Sequence, residues 1–328
     1  MVKTIQRALD FIENFGAFIL TSHENPDADG IGAELVLARL LSRLGKTVRI
    51  LNSDRVPPKF SFLDPENLVS PWDKRGHTEL AKNAGLIILD TSDELNMGIM
   101  ADEALPIVKG ALIIDHHEPS PLTKLSGYVD TDASSTAELV LNLLEAFRIP
   151  IDEKMAVPAY AGILYDTGSF IYPKTSASTF RKALMLVEAG AVPSEIYRAM
   201  FENSSVGALL LQKQVLSTLD LRAQGRIAIQ TLQKEDLLTT GADYEEAEAL
   251  INIPLKSRDV EVSILIKENQ DGLVRCSLRS KGKVNVSLIA QGFSGGGHRT
   301  AAGFKSPLPL AETKEEVLQR VITALEKA

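Results

Sequence analysis

Apolar residues along this chain fall into two textures. The short runs AFILTS (17–22), TVRIL (47–51), GLIILD (85–90) and GALIID (110–115) read as buried strands. Between the first two, Leu35, Ala38 and Leu41–Leu44 recur at helical spacing within Ile31–Leu44, and Gly45 follows as the stop. Strand, helix, strand in that order predicts a parallel sheet. Ser135–Phe147 opens with the S-x-x-E of a capping box, Met155–Tyr165 is apolar enough for a helix, and Thr179–Ala189 is a helix closed by Gly190. Residues 202–219 read as a connecting helix. After Gly225 the pattern alternates, in RIAIQTL, VEVSILIK and LVRCSLRS, and then reaches the glycine cluster FSGGGHRTAAGF. The expected fold is α/β: a doubly wound, largely parallel sheet over 1–190, a helical linker over 191–222 and a smaller α/β domain over 223–328.

At the N-terminus Ile5, Ala8, Leu9 and Ile12 share one helical face, with Lys3, Arg7, Asp10 and Glu13 interspersed. This is an amphipathic helix rather than a signal peptide. No apolar run approaches the roughly 20 residues of a membrane span. A cytoplasmic protein with no membrane partner is expected. A length of 328 residues suits two domains. The single cysteine, Cys276, excludes an internal disulfide framework and a thiolate metal site.

Charge refines the picture. The net charge of −8 argues against a surface for long duplex nucleic acid, which needs a broad basic stripe. Yet from Lys256 to Lys305 nine basic residues stand against four acids, Asp271 among them, a local excess of +5 that leaves −13 for the remainder. An acidic part beside a basic part points to metal on one side and an anionic ligand on the other.

The metal side has candidates. SHENPDADG (22–30) places His23, Asp27 and Asp29 directly after a strand, where their mutual repulsion contributes nothing to folding. A turn would use Asn, Pro, Asp and Gly, whereas a metal cage would use the imidazole and the carboxylates. Two more strands end in acid, at Asp90 and at Asp115-His116-His117. Ligands of open parallel sheets collect outside the carboxyl ends of the strands, so these side chains converge on one crevice. Two histidines and four aspartates, one of them bridging, make two adjacent sites, and mixed ligation suits Mn²⁺ better than Zn²⁺. Such a pair polarises a phosphoryl oxygen and supplies hydroxide as nucleophile.

The motifs HENPDAD, LDTSD, IDHHEPS, ILYDTGSF and GFSGGGHRTAAG, in that order, resemble the DHH phosphoesterase family with its C-terminal DHHA1 domain. The likeness spans about Phe18 to Phe304, and within the family it is to the stand-alone oligoribonuclease (nanoRNase)/pAp phosphatase branch. It implies His23 and Asp27 on one Mn²⁺, Asp29, His116 and Asp166 on a second, and Asp90 bridging, with Mg²⁺ or Co²⁺ as substitutes. It further implies a phosphate or proton-transfer role for His117, with Asp115 orienting a histidine as carboxylates commonly do. In the second domain it implies a substrate-phosphate contact at Arg279 and nucleotide contacts at Gly295, Gly296, Gly297 and His298. Only glycine lets backbone approach a phosphate that closely. Ser134, Ser135 and Thr136 read as helix-cap residues.

The resemblance thus implies hydrolysis of short oligonucleotides or 3'-phosphoadenosine 5'-phosphate (pAp), with a homodimer compatible with it. The alternatives are a cyclic di-AMP/pApA phosphodiesterase, an inorganic pyrophosphatase and a non-catalytic nucleotide sensor. LRSKGK is similar to the basic signature of pyrophosphatases, but the intact GGGH segment speaks against that, since pyrophosphate has no nucleoside to grip.

Overall fold

The computed structural model describes residues 5–119, 123–268 and 273–327. Lys3, Ser120 and Asp271, used above, lie outside the described residues, as do the outermost ends of the expected domains. The chain forms two compact units that divide between Asn203 and Ser204.

In the first unit the strands are β1 (Ala17–Thr21), β2 (Thr47–Asn52), β3 (Val69–Pro71), β4 (Gly85–Leu89), β5 (Gly110–Asp115) and β6 (Gly127–Val129). They form one parallel sheet in the order β3-β2-β1-β4-β5-β6. The order reverses between β1 and β4, which makes the carboxyl ends of those two strands the switch point where such sheets bind ligands. Alternate residues go to opposite faces. Leu20, Ile87 and Ile114 enter the larger core, whereas Ile19, Ile88 and Ile113 enter a second one. Both faces are therefore covered, which is why these strands are apolar throughout.

The helices of this unit are α1 (Ile5–Asn14), α2 (Ala28–Arg43), α3 (Lys74–Ala81), α4 (Ile99–Glu103), α5 (Thr136–Ala146), α6 (Glu153–Asp166), α7 (Ala177–Glu188) and α8 (Pro193–Phe201). Helix α2 starts three residues earlier than the apolar spacing predicts. Its N-cap is Asp27, whose carboxylate accepts from the N–H groups of Asp29 and Gly30 at 2.9 and 3.2 Å. At α5 the expected capping box is only half made. Ser135 accepts from Glu138 N, but the Glu138 carboxylate bonds Ser134 N and Oγ, one residue further out.

The second unit contains α9 (Val206–Ser217), β7 (Asp220–Arg222), β8 (Ile227–Leu232), α10 (Lys234–Thr240), β9 (Val262–Glu268), β10 (Val274–Ser280), α11 (Val286–Gln291), β11 (Gly296–His298), β12 (Ala301–Ser306) and α12 (Leu310–Glu326). Its sheet runs β11-β12-β10-β9-β8-β7, antiparallel except for the β8–β9 pair. One face packs on α11 and α12 through residues such as Ile264 and Leu278, and the other carries Leu232 and Leu265 against Leu211 of α9. The helix expected over 202–219 is confined to α9, with Ser205 as its cap.

Candidate metal centre

The end of β1 carries the first donors. His23 Nδ1 sits 2.8 Å from the Glu24 carbonyl, which can only accept, so Nδ1 donates and Nε2 is the nitrogen turned toward the acids. That Nε2 is 3.7 Å from Asp90 Oδ2 and 4.0 Å from Asp27 Oδ2. Asp27 uses Oδ1 to cap α2, so Oδ2 remains for a ligand.

Asp90 follows β4, and its φ of +64° is a left-handed conformation that a non-glycine residue adopts at a cost. Its N–H still bonds the Ile114 carbonyl at 3.1 Å, while its buried carboxylate accepts from Thr136 Oγ1 at 3.0 Å. Past β5, the buried His116 Nε2 lies 3.6 Å from Asp90 and 2.7 Å from Asp166 Oδ2. The latter approach lacks hydrogen-bond geometry, so that nitrogen is buried without a directed partner. His117 is half-exposed, with Nδ1 2.8 Å from the fully buried Asp115 Oδ1, which also accepts from the His117 backbone N–H. Asp115 is fixed in turn by Ser92 Oγ.

Asp166 is the last residue of α6, remote in the chain from any strand end, and two glycines bring it in. A Cβ on Gly32 would collide with the Pro158 carbonyl, so α2 and α6 touch backbone to backbone. A Cβ on Gly162 would stand 2.6 Å from Asp29 Oδ1. Asp29 is held from the other side by α5, whose first N–H groups, at Thr136 and Ala137, donate to its two oxygens at 2.6 and 2.9 Å. Sequence reasoning read Thr136 as a cap residue and missed this grip. The SSTAE stretch announces a helix start, but nothing in it says which carboxylate that start will hold.

Three overlapping donor groups result, each with ligand atoms within 4.8 Å of one another. They are His23, Asp27 and Asp90; Asp29, Asp90, His116 and Asp166; and Asp90, His116 and His117. Asp90 belongs to all three. Burial, with the charge of Asp166, raises Asp27 and lifts Asp29 to about 7. Burial and the charges of Asp29 and Asp27 push Asp90 well above the carboxylate range. Burial alone would lower His116, but Asp166 and Asp29 outweigh it and raise it. For Asp115, burial is outweighed by the bond and charge of His117, and its pKa is lowered. Crowded, desolvated carboxylates of this kind are costly unless a cation neutralises them. The donor set therefore fits divalent metal: hard oxygens and three imidazoles, with the buried His116 Nε2 facing Asp166 without a directed hydrogen bond.

The remaining sequence-predicted residues, Arg279, Gly295, Gly296, Gly297 and His298, belong to the second unit. Arg279 is half-buried near the end of β10, opposite Ala301 of β12, with Nη1 on the Leu278 carbonyl at 3.1 Å. Gly295 and Gly297 are explained by packing. A Cβ on Gly295 would collide with the Gly303 carbonyl, and one on Gly297, at φ +135°, would stand 2.5 Å from the Ala301 carbonyl. Gly296 is different, because nothing lies within 4 Å of its Cβ position and its surface is open. His298 is exposed beside it.

Two family models match the chain. One, for the DHH family N-terminal domain, covers residues 17–165, and one for the DHHA1 domain covers 224–327. A bifunctional oligoribonuclease and PAP phosphatase NrnA of Thermus thermophilus is 30% identical over 100% of this chain and 95% of its own. The cyclic-di-AMP phosphodiesterase GdpP of Bacillus subtilis is 26% identical over 96% of this chain but 49% of its own. The crystal structure of an exopolyphosphatase-related protein from Bacteroides fragilis superposes with a TM-score of 0.87 at 26% identity, over 98% of this chain and 95% of that one. Among the described residues no helix is long and apolar enough to cross a membrane.

Proposed function

The chain belongs to the DHH family, with a DHHA1 domain following, and on that premise we propose a two-metal phosphoesterase that hydrolyses short oligonucleotides and pAp. One observation carries the two-metal reading. Asp90 offers its two oxygens to different partners, Oδ2 toward His23 and Oδ1 toward His116, so one carboxylate serves two adjacent donor groups. On this reading His23 and Asp27 hold one ion, Asp29, His116 and Asp166 hold the other, and Asp90 bridges them. Mn²⁺ is the preferred occupant on donor chemistry. When bound, such a pair lowers the pKa of water and neutralises charge developing on phosphoryl oxygens.

The chain's own residues do the rest. Asp115 holds Nδ1 of His117 and leaves Nε2 to contact the phosphate or hand a proton to the leaving oxygen. Arg279 supplies a guanidinium for the terminal phosphate, since its fork matches phosphate geometry. The open Gly296 and His298 beside it receive the nucleoside. The identity to an oligoribonuclease and PAP phosphatase over essentially both whole chains supports this substrate class over a cyclic dinucleotide.

The test is Mn²⁺-dependent turnover of pAp, pApA, cyclic di-AMP, a short RNA and pyrophosphate by the purified chain. Release of phosphate from pAp and of mononucleotides from pApA and RNA is expected. Turnover of pyrophosphate alone, or of no substrate, overturns the reading.

A further inference from the structure

The second unit carries a basic groove that the proposed site does not use. It measures about 760 Å³ and runs between α11, the turn before it and α12. Lys283, Arg299, Arg320 and Lys327 line it, with the Asn285 amide and the exposed apolar Leu288. Among the described residues no carboxylate lines it. Lys283 is paired with Glu261 outside the groove, and the repulsion among Arg299, Arg320 and Lys327 is what an anion would relieve.

Arg320 is the anchored member. Its guanidinium lies 4.2 Å from the centroid of Phe293, and that ring stacks on Phe304 at 4.2 Å and 6°. Gly292 makes room for it, since a Cβ there would collide with Nη1. Lys283 already pairs with Glu261, and Arg299 with the Gly282 carbonyl. Arg320 makes no ion pair or hydrogen bond among the described residues. A surface arginine lying on a ring is ordinary packing. This one is held over the Phe293 ring with its donors unspent, and although Glu315 and Glu316 share an adjoining depression with it, neither lines the groove or pairs with it, so little entropy is lost when it takes a phosphate. The groove also adjoins the glycine segment. Arg299 follows His298 in the chain, and Ser287 of α11 donates to the Gly297 carbonyl at 2.7 Å.

We propose that this groove binds the phosphodiester backbone of nucleotides beyond the one held at the glycine segment, so that it favours longer single-stranded substrates. The exposed Leu288 offers an apolar surface against which a base can pack. The inference rests on the oligonucleotide reading above. A pAp molecule, with one nucleoside, does not reach the groove.

The experiment compares wild type with Arg320→Gln and Arg320→Lys, in Mn²⁺, on pAp and on a 5'-phosphorylated pentanucleotide. Arg320→Gln should raise KM for the pentanucleotide by about threefold to tenfold and flatten its log–log salt dependence by roughly 0.7. Values for pAp should stay within twofold, and Arg320→Lys should fall between. An unchanged pentanucleotide KM, or equal losses on both substrates, overturns the proposal. If wild type turns over neither substrate, the proposed function has failed and the groove is judged separately. A fluorescein-labelled pentanucleotide in EDTA should then bind wild type more tightly than Arg320→Gln, and equal binding overturns the groove.

Discussion

Asp29 accepts the backbone N–H of Thr136 at 2.6 Å across 107 residues of chain, and the next N–H, of Ala137, takes its second oxygen. A helix N-terminus is a favourable seat for a carboxylate, and here it fixes the orientation of one that α2 alone would leave free to rotate. The opposite wall is Gly162, whose missing side chain leaves Asp29 its space.

Gly162→Ala should therefore displace Asp29 without replacing any proposed ligand. We expect a folded protein by circular dichroism whose Mn²⁺ affinity, by calorimetry, falls at least about tenfold, as displacing the support of a ligand commonly does. Unchanged affinity would show that α6 gives way instead and that Gly162 serves helix packing only.

Much of this arrangement can be read in the sequence, and the unread part has a common cause. Strands β1, β4 and β5 are legible because a parallel strand covered on both faces has to be apolar, and β2 through its β-branched and apolar run, although Thr47 and Arg49 are exposed. The acids at their ends are legible because a charge after such a run is conspicuous. The start of α2 is not, because Asp27-Ala28-Asp29-Gly30 has loop composition until Asp27 is seen capping its own helix. The short edge strands β3 and β6 carry too few residues to form a pattern. Asp166 was reached only through family resemblance. It sits at the end of a helix, and what carries it into the site is the backbone approach at Gly32 and Pro158, a tertiary fact with no local signature.

The shared carboxylate makes the sharpest demand. Asp90→Asn keeps the shape, removes the bridging charge, and should abolish turnover with a loss of bound metal by elemental analysis. In the metal-free state the same change relieves repulsion from Asp29, Asp27 and Asp166, so the apo protein should melt no lower than wild type. Wild-type metal content with normal turnover would sink the two-metal assignment.

His116 and His117 are neighbours with ring centroids 4.3 Å apart, yet they differ in what holds them. His116 is buried with an undirected Nε2, whereas His117 is committed to Asp115. His116→Ala should lower metal affinity, and His117→Ala should mainly lower kcat. Equal metal loss in both would make both ligands and erase the division.

In the second unit Arg279 and His298 should bind substrate and leave metal content untouched. Losing one charge-assisted phosphate contact in Arg279→Ala should cost about 1.5–3 kcal/mol, roughly tenfold to a hundredfold in kcat/KM, on pAp and dinucleotide alike. His298→Ala should separate the two substrates if its ring meets sugar or base. If Arg279→Ala leaves both specificity constants unchanged, the terminal phosphate is gripped elsewhere.

Away from the proposed ligands, Glu34 gives the fold a pH dependence of its own. It is fully buried on α2, with Oε2 accepting from Asn52 Nδ2 at 3.0 Å and Oε1 without a partner. Asn52 in turn accepts from Thr21 Oγ1 and Ser22 N, so the group braces the strand end that leads to His23. Burial raises Glu34 to about 8, with the Asn52 bond opposing and Asp64 adding. Its unfolded value is near 4.5. Below that, folded and unfolded chains both hold the proton and nothing is lost. Between 4.5 and about 8 the unfolded chain gives it up while the folded one keeps it, so stability falls as pH rises and levels off above 8. Glu34→Gln removes this loss while keeping shape and a neutral side chain. Urea melts at pH 5 and pH 8 should show the variant gaining on wild type by a few kcal/mol, with roughly 5 as the ceiling set by about 1.4 per pKa unit. Other titrating groups are common to both proteins and cancel in the comparison. Parallel pH dependences would mean that Glu34 is ionised in the folded protein, held by solvent or a cation that reaches Oε1.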